Sequence, residues 1–218
     1  MFNRLLNLHH RSVNLNLAVL LAVYLIPRVS SSYPDILNVS AEQIFNLLNE
    51  TRILGDVIQT APKHTCKVLY FEDTAAELGN VLLAKEVSYA PRWCQWTGDN
   101  SSYYTFLVTG PDEPSREHPT EREHIHWLVG NINGDNILRS KEYVYDYIGP
   151  YPKKGIGNRR LVYLVYKQSN GELTFDERRL NDSTSTEGNP HRRNFSCRKF
   201  AKKYDLGNPV AVNFVYVE

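Results

Sequence analysis

The stretch GPDEPSREHPTEREHIHWLVGNI, Gly110 to Ile132, holds two textures in one run. Its first half contains three prolines among charged residues. Proline fixes φ and removes a backbone donor, so this half reads as a rigid loop leaving the apolar run YYTFLV. Its second half, HIHWLVGNI, is rich in branched and aromatic residues and reads as a strand. His124 and His126 stand at the mouth of that strand. Residues two apart in a strand share a face, so both rings could reach one ligand, with Trp127 turned the other way into a core. Two imidazoles can bind a metal, hold an anion once charged, or simply pack. A catalytic zinc needs a third ligand and an open position. His118 and Asp112 are close in sequence, yet no spacing forces either into such a site, and no metal is assigned.

Working outward, VLYFED, NVLLAKEV, YYTFLVTG, RRLVYLVYKQ and PVAVNFVYVE are further strand-like runs, separated by Gly, Pro, Asn and Asp. They follow one another without intervening helices, which predicts a largely antiparallel sheet. Two segments read as helices. SAEQIFNLLNET, from Ser40, pairs a serine with a glutamine three residues on, ahead of Ile44, Leu47 and Leu48 on one face. SCRKFAKKYDLGNP, from Ser196, sets Phe200 and Tyr204 four apart and is stopped by Gly207 and Pro209.

A 218-residue chain suffices for one well-buried core. The 42% hydrophobic and 22% charged content is that of an ordinary globular protein. Residues 1–32 differ: Arg4, Arg11 and Arg28, no acid, and an apolar run from Leu17 to Ile26 before Pro27 and small residues. That run is too short to span a bilayer and fits a secretory signal; a mitochondrial presequence or an uncleaved anchor stays open. Removing the leader takes the formal charge from +1 to −2, which does not suggest nucleic acid as a partner. Sequons at Asn38, Asn49, Asn100, Asn181 and Asn194 would be glycan acceptors in a secreted chain. Cys66, Cys94 and Cys197 match no zinc or thioredoxin pattern. One disulfide with a spare thiol and three buried thiols both remain open.

A further candidate is PYPKKGIGNRR, Pro150 to Arg160, with two glycines and four basic residues around a turn. Phosphate loops usually lead into a helix, whereas a strand follows here, so a nucleotide loop does not fit. A solvated basic turn is the plain reading, and a small-anion site is the other. No Ser-His-Asp arrangement and no carboxylates paired for glycoside chemistry are seen.

Taken in order, these pieces resemble the phosphatidylethanolamine-binding protein family, which includes the Raf kinase inhibitor proteins and plant flowering regulators. The family's DPDAPSR signature is matched by GPDEPSR and the histidine strand after it. Its GxGPPKGTGxHRY signature is matched by IGPYPKKGIGNRRLVYLVYKQ, Ile148 to Gln168. YAPRWCQWTGD, ending near Trp96, and FAKKYDLGNPVAVNF are similar to the family's early strand and its closing helix and strand. The resemblance covers Ile53 to Glu218. It divides the chain into the leader 1–32, an extension 33–52 with a short helix, and the domain 53–218.

The resemblance implies a mostly β (α+β) fold. A central antiparallel Greek-key sheet is expected to pack on a smaller one, with a few peripheral helices; no C-terminal helix of the kind animal members often have is expected, since the sequence stops at Glu218. It implies no catalysis and no cofactor, but a small rim pocket for phosphate-like anions and phospholipid headgroups. Carried over by position, the pocket residues are Asp112, Pro114, His126, Gly149, Pro152, Gly155, Gly157 and Arg159. His124 sits where the family carries an aromatic residue. Gly110 replaces an aspartate, Arg159 a histidine and Leu161 a tyrosine, and Val215 falls where an aromatic closes the pocket. Two outcomes follow: an anion held by Arg159, helped by a charged His126, or Arg159 folded over a dead pocket and paired with Asp112. Expected partners are a phosphorylated headgroup or small anion, peripherally a membrane, and a protease or kinase that the chain would modulate as a monomer.

Overall fold

The computed structural model describes residues 39–151, 157–180 and 189–218. The leader, the sequons at Asn38 and Asn181, and the expected pocket residues Pro152 and Gly155 lie outside the described residues.

Helix α1, Ala41–Glu50, starts where its sequence predicts. The Ser40 hydroxyl accepts from Gln43 N at 3.1 Å, and the Gln43 side chain accepts from Ser40 N at 2.9 Å, satisfying two donors that a helix start leaves open. Ile44 and Leu48 are fully buried, each contributing roughly 1.5–3 kcal/mol. A short kinked segment, Ile53–Asp56, follows, in which Leu54 and Gly55 leave helical backbone geometry. Then come β1 (His64–Thr65), β2 (Lys67–Leu69), β3 (Val81–Leu82), β4 (Trp93–Gln95), β5 (Tyr103–Gly110), β6 (His124–Asn133), β7 (Ser140–Tyr145) and β8 (Arg159–Gln168). Helix α2 (Cys197–Lys203), capped by the Ser196 hydroxyl, and β9 (Ala211–Val217) close the order.

Strands β5, β6 and β7 pair in succession, and β8 returns beside β5, all antiparallel. Spatial order β8-β5-β6-β7 is a Greek key. Strand β9 pairs antiparallel with β8, and the short β1 and β3 join β9 in parallel, so the sheet of seven is mixed at that edge. Strands β2 and β4 form the smaller sheet.

The alternating faces of β8 show how the layers pack. Leu161, Tyr163 and Val165 meet the small sheet through Cys66, Val68, Tyr70 and Cys94, while Val162, Leu164 and Tyr166 meet the helices through Ile44, Leu48, Cys197 and Phe200. All three cysteines are buried free thiols. Strand β7, SKEYVY, is the edge; its charged Lys141 and Glu142 suit an edge strand and hide its strand signal in the sequence.

Candidate functional site

The rim is assembled from the end of β5, the start of β6, the connection Tyr147–Tyr151 and the start of β8. Gly110 pairs with His124 in the ladder. The ladder then slips: Thr109 faces Ile125 but Val108 faces Trp127, so His126 is the extra residue of a bulge. The slip breaks simple alternation. Ile125 packs with the helix-side core and Trp127 with the small-sheet core, while the His124 and His126 rings meet edge to face with centroids 4.8 Å apart.

His126 is 2% exposed, and its Nδ1 lies 2.8 Å from the Ile148 carbonyl oxygen. A carbonyl only accepts, so Nδ1 carries the proton and Nε2 the lone pair. Nε2 has no hydrogen-bond partner among the described residues. Burial, reinforced by Arg192 and Arg159 and opposed by the Ile148 carbonyl, brings the His126 pKa down to about 4. His124 falls to about 3, through burial and then His126, with Glu113 pulling the other way. Both rings are therefore neutral near pH 7, which corrects the charged His126 that the sequence allowed.

The cation of the rim is Arg159. Its Nη1 donates to Glu113 Oε1 at 2.5 Å and its Nη2 to the Tyr151 carbonyl; the two ion-paired side chains are 6% and 13% exposed. The expected pairing of Arg159 with Asp112 is not what the structure shows. Asp112 is bound to Arg160, one residue on: its Oδ2 accepts from Arg160 N and Nε at 2.9 Å each, and its Oδ1 from Nη2 at 2.5 Å. Neighbouring strand residues point to opposite faces, so Arg160 projects with Val162 toward the helices while Arg159 projects with Leu161 away from them. Asp56 and Arg122 complete the Asp112 cluster, and Arg160 Nη1 reaches the Thr51 carbonyl at 2.8 Å. The structure thus pairs Arg159 with Glu113 within electrostatic reach of His126, and takes Asp112 into a structural network.

The remaining expected positions are spread around this rim. Pro114, after a cis peptide, is exposed. Gly149 lies against Val87 and Ser88: a Cβ there would meet backbone atoms at 2.7 to 2.9 Å, so the connection can close only with glycine. Gly157 is exposed with φ +69°. A Cβ at Gly110 would meet His126 Nε2 at 2.9 Å, so the imidazole stands where an aspartate side chain would begin. Leu161 and Val215 face each other across β8 and β9 inside the core. The Tyr147–Tyr151 connection also lines a cavity of about 740 Å³, shared with Leu83, Ala84, Lys85, Ser88 and Glu218. Glu113 was the residue not anticipated. Its signal was present, since it replaces the alanine of the first signature while Arg159 replaces the histidine of the second.

Comparison with known proteins now decides the family. The model of the phosphatidylethanolamine-binding proteins matches residues 54–215. The chain belongs to the phosphatidylethanolamine-binding protein family. A Drosophila melanogaster relative described as "Putative odorant-binding protein A5" is 33% identical over 172 residues, 79% of each chain. Among solved structures, a carboxypeptidase Y inhibitor complexed with its cognate proteinase superposes with TM-score 0.67 at 22% identity, covering 82% of this chain and 96% of that one. The Plasmodium vivax phosphatidylethanolamine-binding protein gives TM-score 0.63 at 19% identity, covering 79% and 96%. At those identities the two structures share the family's fold.

Proposed function

We propose that this chain is a non-enzymatic binder of a small phosphorylated headgroup, held at the rim by Arg159 beside His126. The observation that carries this reading is a permanently charged guanidinium, almost buried, within electrostatic reach of a neutral imidazole whose Nε2 is left as an acceptor. Buried guanidinium groups suit phosphate because their N–H fork matches its oxygens. Removing that fork is the direct test. Arg159→Ala should weaken phosphoethanolamine binding, measured by calorimetry, by about 1.5–3 kcal/mol, the scale of a charged hydrogen bond. Unchanged affinity in the variant would move the ligand elsewhere.

A second reading, modulation of a protease or kinase through the surface, is favoured by a separate observation. Phe71, Leu83, Tyr89, Leu138 and Tyr143 are large exposed apolar side chains, and all line three neighbouring hollows around the segment Leu83–Arg92. Concentrated apolar surface of this kind marks interaction sites, and a relative by fold is an inhibitor solved with its proteinase. For location we infer the secretory pathway from the leader's pattern. No helix among the described residues is long and apolar enough to cross a membrane. Of the sequons, Asn49, Asn100 and Asn194 are exposed, as glycan acceptors must be.

A further inference from the structure

The geometry points to Glu113 as the residue that decides which anions Arg159 accepts, favouring phosphate monoesters over phosphodiesters by occupying the guanidinium until a stronger anion displaces it. The inference rests on the headgroup reading above and goes beyond it, because a phospholipid headgroup is a diester.

Three observations carry it. Both terminal nitrogens of Arg159 already have acceptors, Glu113 Oε1 at 2.5 Å on Nη1 and the Tyr151 carbonyl on Nη2. An incoming phosphate therefore exchanges with a carboxylate and does not enter an empty fork. Glu113 is also the more exposed partner, 13% against 6%, and the following Pro114 is at the surface, so the carboxylate has a route to water. Finally, the His126 ring lies within electrostatic reach of Arg159, and with its Nδ1 proton committed to the Ile148 carbonyl its Nε2 is a lone pair that can accept a proton donor.

Compare the two ligand classes against this arrangement. A diester carries one negative charge, the same as the carboxylate it must evict. Glu113 is tethered to the chain and competes at high effective concentration, so an exchange at equal charge favours the resident group. A monoester near neutral pH carries between one and two negative charges and three strong acceptor oxygens. As a dianion it outcompetes the carboxylate electrostatically. As a monoanion it presents a P–OH that can donate to His126 Nε2, which a diester lacks. In either protonation state the monoester has something to offset the loss of Glu113.

The test measures both probes on three proteins by calorimetry, with binding located by NMR. The probes are phosphoethanolamine, a monoester, and glycerophosphoethanolamine, a diester; the proteins are wild type, Glu113→Gln and Arg159→Ala. Wild type should prefer the monoester by at least about tenfold, and Glu113→Gln should tighten the diester by roughly tenfold, bringing the two affinities together. Glu113→Ala serves as the second variant should the glutamine one melt early. A wild type that binds at Arg159 but keeps the same preference after Glu113→Gln and Glu113→Ala would overturn the role of Glu113 and leave the headgroup site standing. Equal binding by Arg159→Ala, or no binding of either probe to any variant, would overturn both.

Discussion

Replacing Asp112 with alanine is expected to cost the fold about 3–5 kcal/mol, the range for removing one partner of a buried ion pair. The reason lies in what is left behind. Arg160 has a side chain only 1% exposed, and Asp112 accepts from its backbone N, its Nε and its Nη2. Without Asp112 the guanidinium keeps Asp56 and the Thr51 carbonyl but faces a void, and Arg122 loses a neighbour at 3.6 Å. Urea unfolding of the variant against wild type reads this directly. A loss under about 1 kcal/mol would mean that the network is a weak surface pair and that Asp112 is free for another role. The same substitution should leave phosphoethanolamine affinity nearly unchanged, because Asp112 and Arg159 serve opposite faces of β8.

The second large effect is a pH dependence centred on Glu123. This carboxyl is 3% exposed, accepts from Cys197 N at 3.0 Å and lies beside Thr109. Burial raises its pKa from 4.5 to about 7, against the lowering pull of the Cys197 and Thr109 hydrogen bonds. A raised folded pKa means that the native state holds the proton more tightly than the unfolded chain does. Its stabilisation is complete below pH 4.5 and is lost as pH rises through about 7, by about 3 kcal/mol over that window. His124 and His126 act in the opposite sense: their folded values lie below 6.5, so the stability that they confer is present above that pH and is lost in acid. The Glu123 contribution is therefore isolated as the difference between wild type and Glu123→Gln across pH 4.5 to 8. Wild-type stability minus that of the variant should fall by about 3 kcal/mol as pH rises through this window; a flat difference would show that Glu123 ionises in the fold as it does in water.

Much of this architecture is legible in the residues. The capping box at Ser40 and Gln43 marks α1, and the long apolar runs of β5, β6, β8 and β9 mark the four strands that build the sheet. What escapes has physical causes. The edge strand β7 carries the adjacent charges Lys141 and Glu142, and β4 is only three residues long. The parallel pairing of β1 and β3 with β9 depends on long-range closure that no local pattern encodes. At the site, two adjacent arginines look interchangeable in sequence, yet strand alternation sends Arg160 to Asp112 and Arg159 to Glu113. The bulge at His126 is equally silent, since it arises from the ladder slipping between Val108 and Thr109.

The central claim is that a phosphorylated headgroup meets Arg159 and the neutral face of His126. Nitrogen-resolved NMR of the His126 ring and the Arg159 guanidinium, during titration with phosphoethanolamine at pH 7, tests it most directly. The account predicts a neutral His126 protonated on Nδ1 in the free protein, with Nε2 and the Arg159 resonances moving together as the ligand binds. Silence at both residues, with shifts gathered instead around Tyr89 and Tyr143, would contradict it.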